Sequence, residues 1–497
     1  MWQPLRVTTS QQTPKTPTTD DMPPGQRRAL LLLAGQRALA NIPGDILQLA
    51  SIFSDHGEEL ALVGGPVRDA FLGAPIHDFD LTTSARPETT EKLLAQWGTT
   101  WDIGREFGTV GARRGGVVVE VTTYRSDTYT IGSRKPDVDF GDNLEGDLTR
   151  RDFTVNAMAV RLPSLELVDP CGGVDDLLAG QLRTPVTAAQ SFDDDPLRIM
   201  RAARFAAQLR FDVAPDVLRA MADYAERLEI VSQERIRAEL ERLMTAPAPR
   251  RGIELLVYTG VAERVLPEIA ALTDTVDAQH RHKDVYQHTL QVVDNAIALE
   301  DEEVPGPDLI LRLAALFHDI GKPATRRFES DGSVTFRHHD VVGAKMTRAR
   351  MRELRFDKTT TKAVARLVEL HLRAFGFGEH DWTDSAVRRF VRDAGELLPR
   401  LLRLIRADIT SQNRRRVARL HAANDELERR IIELREREEL EAVRPDIDGT
   451  RIMELLGLEP GPQVGKARQY LLSLRLDEGP LGVEEAEKRL LEWWDAQ

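Results

Sequence analysis

At 497 residues the chain has room for about three domains with ample core, and 41% hydrophobic with 30% charged residues fits a globular protein rich in surface helices. A net charge of −13 argues against indiscriminate nucleic-acid binding, so a polynucleotide substrate would need a local basic surface. The single cysteine, Cys171, excludes an internal disulfide and a cysteine zinc cage, and no apolar run is long enough to span a bilayer. A reducing cytoplasm, with no membrane contact, is the expected location.

Taken in order, the start from Thr8 to Pro24 is rich in Thr, Pro and Gln and reads as a tail without fixed structure, placed within residues 1–40. Leu30 to Ala34 is too short for the core of a signal peptide. Residues 41–185 mix strands and helices. Glu59 to Val63 reads as a strand running into a glycine turn, and the β-branched run Gly116 to Thr123 as another. After Ser191 the strand signals stop. Helical spacing dominates to the end, as in Arg235 to Met244 and His421 to Leu440. Pro-Ala-Pro at 247–249 and Pro-Gly-Pro at 305–307 punctuate it. The pattern predicts an α/β head and an all-α body, without internal repeats. The Glu/Arg-rich run Asp425 to Glu441 reads as a solvated helix face.

The chemistry begins at Leu62-Val63-Gly64-Gly65-Pro66-Val67-Arg68-Asp69, followed by Asp78-Phe79-Asp80. A glycine pair lets backbone approach a ligand closely. An Asp-x-Asp on a strand sends both carboxylates to one face, because side chains alternate. Two carboxylates beside a glycine turn and an arginine suit Mg²⁺ and a nucleoside triphosphate. Further on, Asp193-Asp194-Asp195-Pro196-Leu197-Arg198-Ile199-Met200-Arg201-Ala202-Ala203-Arg204-Phe205 reads as a helix with Pro196 in its first turn and the three acids at its positive end. Helical spacing predicts Asp195, Arg198, Arg201 and Arg204 along one half, facing solvent or ligand, with Leu197, Ile199, Met200 and Ala203 on the apolar remainder.

These motifs resemble the nucleotidyltransferase superfamily with the polymerase-β-like fold. More narrowly, they resemble the eubacterial CCA-adding tRNA nucleotidyltransferases and the related poly(A) polymerases, from about Leu60 to the C-terminus. The resemblance implies that Asp78 and Asp80 are catalytic carboxylates holding Mg²⁺. A third is expected from a neighbouring strand, with Glu120 the first choice and Asp127 its competitor. Gly64, Gly65 and Arg68 would meet the triphosphate, and Asp69 would buttress the turn. Gly104 to Thr109 resembles the family's flexible loop, which favours addition of the final A as well as the two C's. Leu148 to Ala157 resembles the RRDFTxNA motif. Of Arg150 and Arg151, one would face phosphate, with Arg151 preferred, while Asp152 and Asn156 would hold the loop.

The Asp193 to Phe205 helix resembles the family's EDxxRxxRxxRF motif, with Asp194 in place of Glu. Asp195 would accept from the amino group of cytosine or adenine, and Arg198 would donate to the ring nitrogen. Uracil and guanine would mispair with that couple, so protein side chains could choose CTP and ATP without a template. Arg201 and Arg204 would lie further round the helix, nearer phosphates or supporting carboxylates.

Further along stand His288, His318-Asp319, His339, His371 and Asp408. Their order resembles an HD-type phosphohydrolase domain. That resemblance implies a site made by His288, His318, Asp319 and Asp408, with His339 and His371 available for a second metal. Imidazole with carboxylate suits Mn²⁺, Ni²⁺, Co²⁺ or Fe²⁺ better than Mg²⁺. Hydrolysis of phosphoesters such as 2′,3′-cyclic phosphates would follow, and the alternative is a vestigial module kept for tRNA contact. Arg444 to Lys466 resembles the family's C-terminal tRNA-contacting segment.

The expected architecture is therefore α+β: a polymerase-β-like head with a small mixed sheet at 41–185, a helical base-selecting neck at 186–275, an HD-type helical domain at 276–410 and a helical tail at 411–497. The expected activity is CTP- and ATP-dependent addition of the 3′-terminal CCA to tRNA, with no protein partner. One alternative is a poly(A) polymerase using ATP only. Another, of a different class, is an RNA-binding scaffold with an inactive head.

Overall fold

The computed structural model describes residues 24–76, 79–104, 108–128, 137–141, 143–273, 275, 285–330, 333–374, 377, 382–411, 413–438 and 445–496. The chain divides into two compact units, Met1–Val231 and Ser232–Gln497.

In the first unit, helices α1 (Pro24–Ala40) and α2 (Gly44–Asp55) precede a seven-stranded mixed sheet. Its strands are β1 (Leu60–Val63), β2 (Phe79–Thr83), β3 (Thr99–Gly104), β4 (Thr109–Arg114), β5 (Val117–Thr123), β8 (Ala159–Leu162) and β9 (Glu166–Val168), in the spatial order β3-β4-β5-β2-β1-β8-β9. Only β2 and β5 run parallel; the other neighbours are antiparallel. The apolar run Leu60–Val63 becomes a central strand covered on both sides, with all four residues buried, whereas Val117–Thr123 alternates, burying Val119, Val121 and Thr123 and leaving Val118 and Glu120 exposed. A separate ribbon pairs β6 (Arg125–Thr128) with β7 (Asp137–Phe140). Helices α3 (Gly65–Phe71), α4 (Pro87–Trp97), α5 (Leu144–Thr149) and α6 (Gly173–Ala179) connect the strands, and α7 (Ala188–Asp194), α8 (Leu197–Leu209) and α9 (Pro215–Asp223) complete the unit.

Three expectations need correcting here. Residues 24–40, placed in the unstructured tail, form α1. It packs on α3 so closely that a Cβ at Gly35 would meet the Phe71 ring at 2.6 Å. Leu30 to Ala34 is thus part of a helix, while residues 1–23 lie outside the described residues. Strands also do not stop at Ser191: β10 (Gln181–Leu182) pairs in parallel with β11 (Asp212–Val213), and β12 (Arg327–Phe328) forms a short hairpin with β13 (Val334–Thr335). Two-residue strands carry too few side chains to show a period in sequence. Finally, only one of the three acids at 193–195 meets the positive end of a helix. Asp193 and Asp194 close α7, and Asp195 accepts from the Leu197 amide at 3.2 Å at the start of α8.

The second unit is helical but for the β12–β13 hairpin, among the described residues. Helices α10 (Gln233–Met244), α11 (Pro249–Tyr258), α12 (Ala262–Val265) and α13 (Pro267–Ala270) lead into α14 (Val285–Ala298), α15 (Leu309–Phe317), α16 (Lys322–Thr325), α17 (His339–Glu353), α18 (Lys358–Leu370), α19 (Asp384–Ala394) and α20 (Leu398–Ala407). The core of α15 is continuous, with every residue from Leu311 to Phe317 buried. Arg312 sits within it, satisfied by both Glu300 carboxylate oxygens and by the Met244 and Ala246 carbonyls. The long α21 (Arg414–Glu438) packs on α19 and α20. It begins seven residues before the expected start, and its Arg416, Leu420, Ala423 and Asn424 share a cavity wall with His288 and Asp408. The boundary expected at 410/411 therefore cuts through one packed group. Helices α22 (Gly449–Leu456), α23 (Pro462–Glu478) and α24 (Val483–Asp495) gather around Ile452, Leu471 and Leu490, with Tyr470 stacked on Trp493 at 4.6 Å. No described helix is long and apolar enough to cross a membrane.

Candidate active site and metal centre

In the first unit, the strand register places the carboxylates. Asp80 on β2 lies opposite Glu120 on β5. Both are exposed. Partners in adjacent strands leave the same face, with backbones about 4.8 Å apart, so Asp80 and Glu120 are lateral neighbours. Asp127, the competitor for the third carboxylate, belongs to β6 in the separate ribbon. Asp78 lies outside the described residues, as do Arg105, Glu106 and Phe107, which follow β3 in sequence.

Strand β1 delivers the glycine turn beside these acids. Gly64 has φ of +77°, a conformation that favours glycine, and a Cβ there would stand 3.3 Å from Arg151 Nη1. Arg68 does not point freely at a ligand. It is buried, its Nε donates to Asp69 Oδ1 at 2.8 Å, and its Nη1 donates to Asn156 Oδ1 at 2.6 Å. Asp69 thus steadies Arg68 itself.

Reasoning from sequence missed the residue on which this region converges. Asp147, on α5, is buried and accepts from Arg150 Nη2 at 2.6 Å and Arg151 Nη2 at 3.0 Å. The Arg125 amide donates to it at 3.3 Å, and the Thr82 hydroxyl lies at 3.5 Å. Burial alone would raise the Asp147 carboxyl, but Arg151 and Arg150 outweigh it and hold it below the usual carboxylate range. The signal was available: Asp147 stands three and four residues before the arginine pair, the spacing of helical neighbours. Of the two arginines, Arg151 keeps more capacity for a ligand. Its Nη1 lies at the Gly64 turn, and its buried Nε has no hydrogen-bond partner among the described residues.

Helix α8 departs from the expected amphipathic pattern. Arg198 and Arg204 are buried along with Leu197, Ile199, Met200 and Ala203. Internal acceptors make this possible: Arg198 donates to Ser191 Oγ at 2.8 Å and to the Arg150 carbonyl at 2.6 Å. Arg204 donates to Gln208 Oε1 at 2.9 Å, and its guanidinium lies 3.8 Å from the Phe205 ring centre. Arg201 Nε donates to Asp152 Oδ2 at 2.8 Å. Asp152 also accepts from Asn156 and from the Phe153 amide. Burial works against its charged form, yet Arg201 and Asn156 hold it down at about 2. Arg198 is thus joined to the glycine turn through Arg150, Asp147 and Arg151. Asp195, which precedes α8, is bound locally to Leu197.

In the second unit, helix ends deliver the donors. His318 and Asp319 follow α15, His339 opens α17, His371 follows α18, Asp408 follows α20 and His288 lies on α14. Gly321 lets the His-Asp turn press on the start of α17, since a Cβ there would stand 2.7 Å from the Gly343 nitrogen. The structure brings all six predicted residues into two groups, His288/His318/Asp408 and Asp319/His339/His371. Within each, the donor atoms lie within 4.8 Å of one another.

Tautomers follow from the hydrogen bonds. Nδ1 of His318, His339 and His371 lies 2.8, 2.8 and 2.6 Å from the carbonyls of Ala315, Phe336 and Val368. A carbonyl only accepts, so each Nδ1 carries a proton and each neutral ring offers Nε2 as a lone-pair donor. His339 Nε2 and His371 Nε2 are buried without hydrogen-bond partners among the described residues. Burial first, then His318, lowers His371 to about 4, leaving it neutral. Burial would raise Asp319 and Asp408, but the neighbouring histidines, with Lys322 at Asp319, hold both well below the usual range. Burial works against a charged His318, yet Asp319 and Asp408 raise it above the ordinary histidine value, so a divalent transition metal taking its Nε2 lone pair would displace that proton. A cavity of about 450 Å³ opens onto the group, walled by Phe336, Phe377 and Leu420 as well as the donors.

A mixed sheet with paired acids beside a glycine turn defines a nucleotidyltransferase head, here followed by a helical body with a metal-donor cluster. Residues 60–183 match the poly(A) polymerase head domain, 210–273 the "probable RNA and SrmB-binding site of polymerase A" and 285–434 the HD domain. The A-adding tRNA nucleotidyltransferase of Deinococcus radiodurans is 33% identical over 450 residues, 87% of this chain and 95% of that protein. The CC-adding tRNA nucleotidyltransferase of Thermus thermophilus is 32% identical over 441 residues, 87% and 93% of the two chains. The crystal structure of the Bacillus stearothermophilus CCA-adding enzyme in complex with CTP superposes with a TM-score of 0.65 at 26% identity, covering 91% of this chain and 98% of that one. The chain belongs to the bacterial tRNA nucleotidyltransferase family of the poly(A) polymerase type.

Proposed function

We propose that this protein adds C, C and A to the 3′ end of tRNA, using CTP and ATP. The observation that carries the reading is the register of Asp80 with Glu120 beside a Gly64 turn backed by Arg151. With Asp78, two positions before Asp80 in sequence, these carboxylates would supply the hard oxygen ligands that Mg²⁺ prefers. Mg²⁺ there would activate a 3′-hydroxyl and neutralise the triphosphate. Arg151 would meet phosphate oxygens at the turn, with Arg150, Arg68, Gly64 and Gly65 shaping the pocket. Asp195 and Arg198 would select the base, with Arg201 and Arg204 holding the selecting helix in place.

The two long-range relatives divide the task, one adding A and the other CC, at nearly equal identity. Full CCA addition is favoured here by the resemblance of the Gly104 to Thr109 segment to the family's flexible loop. The deciding experiment incubates tRNAs ending before, within and after CCA with CTP, ATP or both, and sequences the products. Complete CCA ends support the reading. Products stopping at CC, or formed only from tRNA-CC, would assign half of the task. Long A tails from ATP alone would make the protein a poly(A) polymerase, and no extension would leave an RNA-binding scaffold.

A second activity is favoured by one observation, the three histidines whose Nδ1 protons are fixed by carbonyls. We infer a transition-metal site in the helical body that hydrolyses phosphoesters. Hydrolysis of 2′,3′-cyclic nucleotides with Mn²⁺ or Ni²⁺ tests it, and no metal and no hydrolysis would make the module structural.

A further inference from the structure

One aromatic ring in the first unit has no part in the transfer proposed above. Phe205, on α8, is buried. Three guanidinium groups gather on it: Cζ of Arg68, Arg201 and Arg204 lies 5.5, 5.4 and 3.8 Å from the ring centre. Phe153 meets it edge to face, with ring centres 5.7 Å apart. Like charges this close repel one another. Two carboxylates offset the repulsion, Asp69 on Arg68 and Asp152 on Arg201. The ring does so as well, because its negative face attracts a guanidinium most strongly where water is excluded.

Arg201 and Arg204 share the helix of Phe205, but Arg68 comes from α3. Its amide donates to the Gly64 carbonyl at 3.1 Å, so it forms one turn with the glycine pair. Hydrogen bonds already lead from that turn to α8. Arg68 Nη1 donates to Asn156 Oδ1 at 2.6 Å, Asn156 Nδ2 to Asp152 Oδ1 at 3.1 Å, and Arg201 Nε to Asp152 Oδ2 at 2.8 Å. The Phe205 ring, in contact with both Arg68 and Arg201, closes this chain into a loop. We propose that Phe205 is a positioning residue that fixes the glycine turn to the base-selecting helix, so that the triphosphate and the base of one nucleotide are held in a single frame. The inference rests on the nucleotidyl-transfer reading and adds how its two nucleotide-binding elements stay in register. With the base held by α8, the reacting phosphorus is placed only as well as the turn is, and a slip of about 1 Å there costs up to 10²-fold in rate.

Steady-state addition of C and A to tRNA by the full-length protein tests this. In one variant Phe205 is replaced by pentafluorophenylalanine, which keeps the shape of the ring but reverses the charge of its face. In a second, Phe205→Leu removes the ring. In both, kcat with CTP and with ATP should fall about tenfold while KM moves less than about twofold, because base and phosphates are still bound but no longer in register. Phe205→Tyr keeps the ring face and should restore kcat. In an Arg68→Lys background, Phe205→Leu should cost little more than Arg68→Lys alone, since the two residues act as a unit. Circular dichroism and thermal melting identify any variant that fails to fold, and the fluorinated ring, closest in shape, then carries the test. Wild-type kcat with the fluorinated ring would make Phe205 a core filler and overturn the inference alone, as would fully additive losses in the double variant. A folded wild type that adds no nucleotide to tRNA overturns the transfer reading and this inference with it.

Discussion

Two groups of acidic side chains in this chain face opposite physical problems. Asp80 and Glu120 are exposed on a sheet, and the strand register sets them side by side. Asp319 and His318 are almost wholly buried at the end of a helix, and hydrogen bonds to the backbone set the orientation of the rings around them. On the function proposed above, this exposed pair would take Mg²⁺ together with the substrate, as suits an ion that dehydrates reluctantly. A buried set with fixed tautomers is organised beforehand and suits an ion that stays. On the proposed function, the difference separates a site that would assemble around a nucleotide from one that would retain its metal.

Reciprocal substitutions break this comparison most sharply. Asp80→Ala should lower addition of both C and A by about 10³-fold, since the ions supply several kcal/mol to the transition state. Its transition-metal content should not change. Asp319→Ala should abolish phosphoester hydrolysis and metal retention while addition stays within about twofold, as for independent sites. Addition assays and metal analysis on the same preparations read both. If Asp319→Ala also lost addition while folded, the two sites would have to be treated as one.

Asp147 sharpens the comparison from the side of the head, which also has a buried acid, though not a metal donor. Asp147→Asn keeps the shape but removes the charge that holds Arg150 and Arg151. The two arginines are half-buried around the buried Asp147, so losing their shared charged hydrogen bonds costs roughly 1–3 kcal/mol of stability. A displacement of about 1 Å at Arg151 would lower addition about 10²-fold. If Asp147 only supports the fold, addition measured well below the melting temperature should match wild type. If it positions the arginines, kcat should fall for CTP and ATP alike.

These residues also show what sequence could and could not convey. Local patterns carried over for the strands and for the clustering: β1 and β5 form where strands are expected, and the six candidate donors come together in two groups. The burial of α8 was illegible, because arginine at helical spacing reads as a solvent face. The acceptors that draw Arg198 inward, Ser191 and the Arg150 carbonyl, lie on other segments. A backbone carbonyl leaves no trace in composition, and so Arg150 could be read as a phosphate ligand but not as the anchor of Arg198. Likewise α1 carries a weak pattern of its own and owes its place to close packing on Phe71.

The burial of Arg198 changes what its substitution should do. Arg198→Lys keeps the charge but cannot span Ser191 and the Arg150 carbonyl with one planar fork. Loss of one charged hydrogen bond is worth about 10- to 100-fold in selectivity. UTP and GTP misincorporation should rise by that amount, with a smaller loss of CTP and ATP turnover. Competition assays with mixed nucleotides measure the ratio. If Arg198→Lys and Asp195→Asn both kept wild-type selectivity, the choice of base would have to lie elsewhere.

The smallest effect concerns pH, and it isolates the support of α8 from its chemistry. Asp152 is held at about 2 in the folded chain, against an ordinary value of 3.8, because Arg201 and Asn156 favour its charged form. A depressed carboxylate contributes stability that is fully present above its unfolded value and is lost as pH falls through the folded one. The shift corresponds to about 2 kcal/mol in all, of which about 1 kcal/mol should disappear between pH 5 and pH 3. Asp152→Asn lacks the titrating group, so the wild-type advantage should shrink over that interval. Hydrogen exchange of the Phe153 amide, which donates to Asp152 Oδ1 at 2.8 Å, reads the effect locally. Its protection in wild type relative to Asp152→Asn should fall several-fold on acidification. A constant ratio from pH 5 to pH 3 would mean that Asp152 supports the turn by shape alone, and that the charge of Arg201 is balanced by another group.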